Sequence, residues 1–545
     1  MACGKDIEIF EDMPIPKDKV PIMIGSYQSV PGDTISQEKY SIRIAQGSKT
    51  PVISISGGRP RGTLYGVYVF LKRLGFRWYT PSVTKFPEGD TFKLQYMNEE
   101  GSPAFMMRYP GVHVQRLYDP TWAARNLINA TISPGDKKRG GRVNVYGVHT
   151  FDRLIPRSLY KDHPEYFPFI GGKRITGYVQ RCLTNPGVVE VAAKNIMDSM
   201  EKNKESRIFS LSQGDVDKYC ECPDCMKIME EEGAPSGLYV RFVNQVAEIV
   251  EEKYPDNYIS TLAYWFTQKP PKTVKPRHNV IIRLCPISID VARPFYESKD
   301  YRSREFAQDL KGWSKITDRI FLWLYNTDFC HMLMPFPSFK GNIEAIKTYA
   351  KHGVKGVYIE GNAYPELSIW VFARLLWNPD LDPDELINEW MHAVYGKAYE
   401  PMRKAFDLMH KQVEPHDRYL HVFDAPTRKL WPEHVVSSMD KLHEEAEKLA
   451  ASDSTALYYV KKNRIRVDYL NYILNTGRLT VKGNVYAPTG NTVSVKDFDQ
   501  LYEKALSFGV TRFGSGWADH KSETLLRQRV ESHPLVTLEN ENIRL

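Results

Sequence analysis

The most informative stretch of this chain is Ile208-Phe-Ser-Leu-Ser-Gln-Gly-Asp-Val-Asp-Lys-Tyr-Cys-Glu-Cys-Pro-Asp-Cys225. Its apolar run, residues 208–211, predicts a buried strand that stops at a loop containing Gln213, Gly214 and Asp215. Three closely spaced cysteines follow. In α/β barrels the chemistry lies in loops at the carboxyl ends of buried strands. The segment therefore predicts one wall of an active site.

Outward from this segment, strands alternate with helices over residues 101–395. Probable strands lie near 105–108, 143–147, 208–211, 259–265, 280–284, 320–324 and 354–359, and the clearest helix covers 238–254. This alternation favours an α/β fold, a (β/α)8 TIM-like barrel with one strand unplaced. A doubly wound open sheet is the structural alternative, but it usually carries a nucleotide-binding glycine fingerprint, which this sequence lacks.

Two regions flank the predicted barrel. Residues 1–100 contain a strand-like run, a Gly57-Gly58 turn and apolar residues at helical spacing from Leu64 to Leu74, which predicts a small N-terminal α/β domain. Residues 396–545 contain amphipathic stretches, which predict a helical C-terminal domain. These stretches cover 399–411, 435–451 and 457–474.

Composition and charge exclude several classes of function. The chain has 545 residues, 42% hydrophobic and 26% charged, as expected for a globular protein of several domains. The net charge of +7 is small for this length and no basic helix occurs, so we expect no nucleic-acid partner. No apolar run approaches the roughly 20 residues of a membrane span. Cys3, which follows Met1-Ala2, is either an ordinary cysteine or the lipidated residue of a bacterial lipoprotein.

The residues that follow the predicted strands form one candidate site, because the carboxyl ends of barrel strands face a single pocket. Carboxyl groups, amides, an arginine and aromatic rings are combined there, as a sugar-binding site requires. The candidate substrate-binding residues are Arg108, His149, Trp265, Trp323, Tyr325, Asn326, Asn362 and Tyr364. A lone histidine such as His149 is more often a structural residue, but its position at a strand end favours contact with sugar.

Asp215 and Glu360 are the best pair of candidate catalytic carboxyls. Glycoside cleavage needs one protonated carboxyl for the leaving oxygen and a second group for the positive charge at the anomeric carbon. Both candidates follow apolar strands, which favours a desolvated carboxyl with a raised pKa. The alternative for each is a structural role, as a helix cap or as the partner of an arginine.

Gln213 is the third candidate catalytic residue. A carboxamide close to Asp215 is suited to orient a substrate N-acetyl group whose own oxygen acts as the nucleophile. A glutamate would be a better acid at this position, so a chain in which Gln213 replaces a glutamate would be inactivated. No cofactor is predicted for catalysis.

Cys220, Cys222 and Cys225 follow a C-x-C-x-x-C pattern that predicts a structural clamp beside the Asp215 loop. Three thiolates at this density can bind zinc with a fourth ligand, for which Cys182 is the candidate. Alternatively, the cysteines pair as disulfides in an oxidising compartment. The spacing alone leaves both chemistries open.

Several motifs, in their order, resemble a known family. Residues 57–71, ending in Val-Phe-Leu, and Gly75-Phe-Arg-Trp-Tyr79 resemble the N-terminal domain that precedes hexosaminidase and α-glucuronidase barrels. Gly147-Val-His-Thr150, Cys182-Leu-Thr-Asn-Pro186 and Ser210-Leu-Ser-Gln-Gly-Asp215, with the cysteine pattern, resemble bacterial domain of unknown function 4838. The branch of that group with an assigned activity is glycoside hydrolase family 163.

The resemblance implies an endo-β-N-acetylglucosaminidase of gut Bacteroidetes that cuts the chitobiose core of complex N-glycans on glycoproteins. It implies retaining, substrate-assisted catalysis in which the Gln213–Asp215 segment holds the acid and the group that orients the acetamide. Glu360 would then contact hydroxyls or serve as the acid. A periplasmic or cell-surface lipoprotein is the implied location. The alternatives are an exo-acting hexosaminidase or α-glucuronidase, and a non-catalytic glycan-binding protein.

Overall fold

The computed structural model describes residues 20–27, 37–46, 51–87, 95–111, 119–131, 136–361, 365–475, 478–482, 485–489 and 495–510. Its strands, in chain order, are β1 (Ile22–Tyr27), β2 (Tyr40–Gln46), β3 (Pro51–Gly58), β4 (Arg77–Trp78), β5 (Thr84–Lys85), β6 (Met97–Gly101), β7 (Met107–Tyr109), β8 (Val145–Tyr146), β9 (Phe169–Ile170), β10 (Lys173–Arg174), β11 (Ile208–Ser210), β12 (Tyr258–Tyr264), β13 (Val280–Cys285), β14 (Ile320–Tyr325), β15 (Val354–Glu360), β16 (Arg478–Lys482) and β17 (Val485–Thr489).

The N-terminal part is a four-stranded sheet with the order β1-β3-β2-β6, covered by the helix Gly62–Arg73. The helix packs Tyr65 against Ile42 and Ile55 of the sheet. Gly57 is the second-last residue of β3, and a Cβ atom on Gly57 would lie 2.2 Å from the carbonyl carbon of Gly62. Position 57 therefore requires glycine, because two backbone segments approach closely there. The predicted turn at Gly57-Gly58 is wrong, since both residues belong to β3 and the turn follows at residues 59–61.

The centre of the molecule is a curled parallel sheet of seven strands in the order β7-β15-β14-β13-β12-β11-β8. These are the seven strands that the sequence predicts. Neighbours in the sheet are also neighbours in the chain, except that the first strand, β7, pairs with the last, β15. A doubly wound sheet would reverse its strand order at a switch point, whereas this order is that of a barrel opened between β7 and β8. The described ranges contain no eighth strand of this sheet.

The helices of the described ranges alternate with these strands as far as β15, and helices predominate after it. They are Gly62–Arg73, Pro120–Arg125, Phe151–Leu154, Pro186–Lys202, Pro223–Glu232, Ser236–Lys253, Tyr301–Ile316, Phe339–Lys351, Pro365–Trp377, Pro383–Tyr395, Tyr399–Lys411, Glu433–Leu449, Ser454–Asn475 and Val495–Ser507. None of the described helices has the length and hydropathy to cross a bilayer. The predicted helical C-terminal region also contains an antiparallel strand pair, β16 and β17, which the periodicity of the sequence does not reveal.

A buried charged cluster joins the N-terminal sheet to the central sheet. The Glu38 carboxylate, which is fully buried, forms ion pairs of 2.6 Å with the guanidinium groups of Arg61 and Arg108. It also accepts a hydrogen bond of 2.8 Å from Asn129 Nδ2. Because a buried charge is stable only when it is paired and hydrogen-bonded, this cluster fixes how the two sheets meet.

Candidate active site

A cavity of about 510 Å³ opens at the carboxyl ends of the central strands. Tyr264, Cys285, Tyr325 and Glu360 are the last residues of β12, β13, β14 and β15, and all four line it. The strand register aligns Tyr264 with Cys285 and Tyr325 with Glu360. The full lining is Val148, His149, Asp215, Leu262, Tyr264, Trp265, Cys285, Ile287, Trp323, Tyr325, Phe329, Tyr358, Glu360 and Phe423.

Asp215 enters the cavity from the loop that follows β11. Its Oδ1 atom accepts a hydrogen bond of 3.1 Å from the hydroxyl group of Tyr264. Burial, and then the charge of Asp215, raise the pKa of Tyr264 well above its ordinary value, so this hydroxyl keeps its proton and remains a donor. The loop is held from behind by Gln180, whose Nε2 donates to Gly214 O and whose Oε1 accepts from Gly214 N.

Glu360 faces the cavity from the end of β15. Its Oε2 atom accepts a hydrogen bond of 2.8 Å from Trp323 Nε1. The Trp323 ring lies 4.4 Å from the Tyr358 ring and below the guanidinium of Arg283, which is 5.2 Å from the ring centroid. Trp323 is thus confined on two sides, and it presents its N–H group to Glu360 in a fixed orientation.

Aromatic rings form the other surfaces of the cavity. Trp265 is 42% exposed and stacks on Tyr264 with a centroid distance of 4.9 Å and an interplanar angle of 18°. Phe423, from the segment before the helix Glu433–Leu449, is 54% exposed and lies 5.4 Å from Phe329. Exposed flat rings beside carboxylates suit the apolar faces and the hydroxyl groups of sugars.

The backbone at two positions of the cavity is left-handed. Trp265 has φ of 51° and His149 has φ of 50°, a region that residues with a side chain seldom occupy. His149 is held there by Ser212 Oγ, which accepts its backbone N–H, and by a contact of 2.8 Å between its Nδ1 and Gln213 O. Such strain persists where surrounding contacts impose it, and it is concentrated at functional sites.

The structure brings together six of the residues that the sequence analysis singles out. Asp215, Glu360, His149, Trp265, Trp323 and Tyr325 all line the cavity. Two further candidates, Asn362 and Tyr364, lie outside the described residues, as does Cys3.

Three candidates do not line the cavity. Gln213 is fully buried, and its Nε2 donates to Leu262 O at 3.3 Å and to Thr267 Oγ1 at 2.7 Å. Arg108 is bound to Glu38 and to the carbonyl of Leu127. Asn326 is buried, with its Oδ1 accepting from Ser338 Oγ. All three side chains are held by hydrogen bonds or ion pairs inside the protein.

Tyr264, Tyr358 and Phe423 were missed by reasoning from the sequence. Tyr358 precedes Glu360 by two positions on β15, so strand alternation places both on one face and would have predicted it. Tyr264 directly precedes Trp265, where a short helical turn begins. Its hydrogen bond to Asp215 is evident only from the structure. Phe423 comes from the helical C-terminal region, and nothing in its local sequence indicates that it reaches the cavity.

Asp328 is a buried carboxyl group close to the cavity wall. Its Oδ1 accepts the backbone N–H groups of Cys330 and His331 at 2.8 and 2.7 Å. Burial raises the pKa of Asp328 from 3.8 to about 8. The folded protein therefore keeps a proton that the unfolded chain releases above about pH 4, so this group makes stability fall as pH rises toward 8.

We expect Asp328→Asn to flatten this pH dependence, because the amide oxygen still accepts both N–H groups while no charge is buried. The difference between wild type and variant should grow with pH by at most about 1.4 kcal/mol per pH unit. Thermal unfolding from pH 5 to pH 8 measures it, with exposed Asp217→Asn as the control. Parallel curves for wild type and Asp328→Asn would contradict the expectation.

Four cysteine thiols meet outside the cavity lining. Cys182, Cys220, Cys222 and Cys225 are all buried, and their sulfur atoms lie within 4.8 Å of one another. Cys182, the predicted fourth member of the cluster, comes from a separate segment of the chain. None of the four lines the cavity.

Some solved structures are similar to this chain in their overall course. A family 89 glycoside hydrolase from Clostridium perfringens in complex with PUGNAc has 10% identity and a TM-score of 0.46, over 83% of this chain and 60% of that chain. A GH138 enzyme targeting pectin rhamnogalacturonan II has 10% identity and a TM-score of 0.45, over 96% and 73%. A Thermobaculum terrenum O-GlcNAc hydrolase mutant has 11% identity and a TM-score of 0.38, over 78% and 92%.

This chain thus spans about 60% of the length of the family 89 structure. No curated protein matches its sequence. The model of one protein family, described as Domain of unknown function (DUF4838), matches residues 78–407, which is more than half of the chain. This match includes the seven-stranded sheet and every described residue of the cavity except Phe423. The protein therefore belongs to the DUF4838 family, as its motifs predict.

Proposed function

We propose that the protein is a glycoside hydrolase and that Asp215 and Glu360 are its working carboxyl groups. The observation that carries this proposal is that two carboxyls from different strand ends share one cavity with exposed aromatic rings. Glycosidic cleavage requires two polar groups placed around the bond to be cut, and aromatic faces that hold the sugar ring. A carboxyl at only one strand end would support binding alone.

The roles of the two carboxyls follow from the contacts around them. Because Gln213 is bound to Leu262 and Thr267, the segment from 213 to 215 offers the cavity only one acidic or amide side chain. We infer that Asp215, oriented by the Tyr264 hydroxyl, accepts a hydrogen bond from the N–H of a substrate acetamide. The oxygen of that acetamide attacks the anomeric carbon. Glu360 then donates the proton to the leaving oxygen and later removes one from the attacking water.

The substrate we propose is the chitobiose core of complex N-glycans, cleaved by an endo-acting, retaining mechanism. The resemblance to glycoside hydrolase family 163 carries this choice. Two exposed rings in the cavity lining, Trp265 and Phe423, support it, because an internal bond needs stacking surfaces for more than one sugar.

Mass spectrometry of a complex N-glycoprotein after incubation with the protein tests this proposal. Endo cleavage is expected to leave a single GlcNAc on each glycosylated asparagine and to release the remaining glycan intact. Stepwise loss of terminal sugars would instead support an exo-acting glycosidase. Unchanged glycans, together with saturable glycan binding, would contradict the proposed glycosidase activity and support a glycan-binding protein.

A further inference from the structure

The four clustered thiols have a geometry that the proposed glycosidase function does not use. The sulfur of Cys182 lies 3.7 Å from that of Cys222 and 3.9 Å from that of Cys225. In a tetrahedral zinc–thiolate site, Zn–S bonds of about 2.3 Å place the sulfur atoms about 3.8 Å apart. A disulfide would require a sulfur–sulfur distance of about 2.05 Å. These two distances match the spacing of sulfur ligands around a common zinc ion, and all four sulfur atoms lie within 4.8 Å of one another.

We propose that Cys182, Cys220, Cys222 and Cys225 bind one structural Zn²⁺ ion. The ligands would be thiolates from two segments of the chain, a set that tetrahedral zinc favours and harder cations do not. All four ligand positions are then occupied by protein, and the cluster is separated from the cavity. The ion therefore has a structural role and takes no part in glycoside chemistry.

The surroundings of the cluster compensate its charge. Four thiolates around Zn²⁺ leave two net negative charges, which need donors nearby. Cys220 Sγ accepts the backbone N–H of Phe169 at 3.3 Å and lies 3.6 Å from Arg174 Nη1. Cys222 is the N-cap residue of the helix Pro223–Glu232, and Cys225 lies in its first turn. The positive end of this helix thus faces the sulfur atoms, which favours thiolates.

The position of the cluster indicates what the ion would hold in place. Cys182 follows Gln180 by two residues, and Gln180 binds both the N–H and the carbonyl of Gly214, next to Asp215. The backbone N–H of Gln180 also donates to Lys218 O at 3.0 Å, two residues before Cys220. Gln180 and the loop segment that it contacts are thus each two residues from a proposed zinc ligand, Cys182 and Cys220 respectively. Loss of the ion would loosen the loop that carries Asp215.

Metal analysis of the purified protein tests the site directly. We expect one zinc ion per chain. Titration of the thiols with a mercurial should release that ion as the cluster thiols react, and replacement by Co²⁺ should give the intense absorption of a tetrahedral thiolate site. Cys225→Ser should lower the zinc content at least about tenfold. Cys330→Ser, at an exposed cysteine outside the cluster, should retain it.

Three results would overturn the proposal. An intact mass lower by four hydrogens, with no bound metal, would show two disulfides instead. Stoichiometric iron with visible absorption would identify a different ion. Zinc that remains fully bound in Cys225→Ser and after blocking of the cluster thiols would place the ion elsewhere. If Cys225→Ser does not fold, the metal content and mercurial titration of the wild-type protein still decide, and neither depends on glycosidase activity.

Discussion

Glu360→Gln is expected to lower the rate of glycoprotein deglycosylation by about 10²–10⁴-fold, because the leaving oxygen loses its proton donor. The amide of glutamine is nearly isosteric, and its oxygen still accepts the N–H of Trp323, which donates to Glu360 over 2.8 Å in the wild type. The loss should therefore be one of chemistry and not of folding. The rate of glycan release measures the chemistry, and the thermal unfolding midpoint of each variant measures the folding.

The leaving group separates the roles of the two carboxyls. The phenolate of an aryl glycoside with an acidic phenol departs without being protonated. The Glu360→Gln variant should therefore regain most of its rate on such a substrate. Asp215→Asn should remain impaired on both substrates, because attack of the acetamide oxygen on the anomeric carbon needs the carboxylate whatever the leaving group. If Asp215→Asn regains its rate and Glu360→Gln does not, the two assignments must be exchanged.

Asp217→Asn is the matched control for both variants. Asp217 is an exposed carboxyl of the same loop, and it does not line the cavity. The substitution removes one charge at a similar place without touching a proposed catalytic group, so we expect activity within about twofold of wild type. Full activity of both Glu360→Gln and Asp215→Asn would place the chemistry at other groups.

Gln213→Glu is expected to destabilise the fold by about 3–5 kcal/mol at neutral pH and to bring no gain in activity. The Gln213 amide is fully buried and donates to Leu262 O and Thr267 Oγ1. A carboxylate there would face the Leu262 carbonyl oxygen, and the described partners of this side chain, Leu262 O and Thr267 Oγ1, include no cation. This outcome opposes the hypothesis that a glutamate at this position would act as the acid.

The pH dependence of this variant identifies the cause. A buried glutamate has a raised pKa, so the folded variant binds a proton that the unfolded chain releases, and its destabilisation should be greater at pH 8 than at pH 5. The control is Gln308→Glu on the exposed face of the helix Tyr301–Ile316, which should change stability by less than about 0.5 kcal/mol. A tenfold or greater rise in glycosidase activity of Gln213→Glu would contradict our interpretation.

The order of strands and helices in the central sheet could be predicted from the sequence. Buried parallel strands are continuous apolar runs, and the helices between them carry apolar residues at helical spacing, so both signals are local. The same logic identifies Asp215 and Glu360, because a polar residue at the end of a buried strand, or in the loop that follows it, lies where a barrel binds its ligand. The short pair β16 and β17 has no comparable signal.

The direction of individual side chains could not be predicted in this way. Gln213 and Asp215 are two residues apart, a spacing that places both on one side of an extended strand. Strand β11 ends at Ser210, however, and the loop at Gly214 turns Gln213 inward and Asp215 outward. Arg108 is likewise directed to Glu38, a residue distant in sequence that no periodicity connects with it.

Local patterns in the sequence were enough to predict the family, the seven parallel strands, the two carboxyls at strand ends and the cluster of four cysteines. These features depend on local composition and on spacing along the chain. The three-dimensional structure was needed to show that Tyr264 and Trp323 donate hydrogen bonds to the two carboxyls. It was also needed to show that Phe423 lines the cavity and that Gln213 does not. Those outcomes depend on contacts between distant segments, which the packing of the whole chain alone can specify.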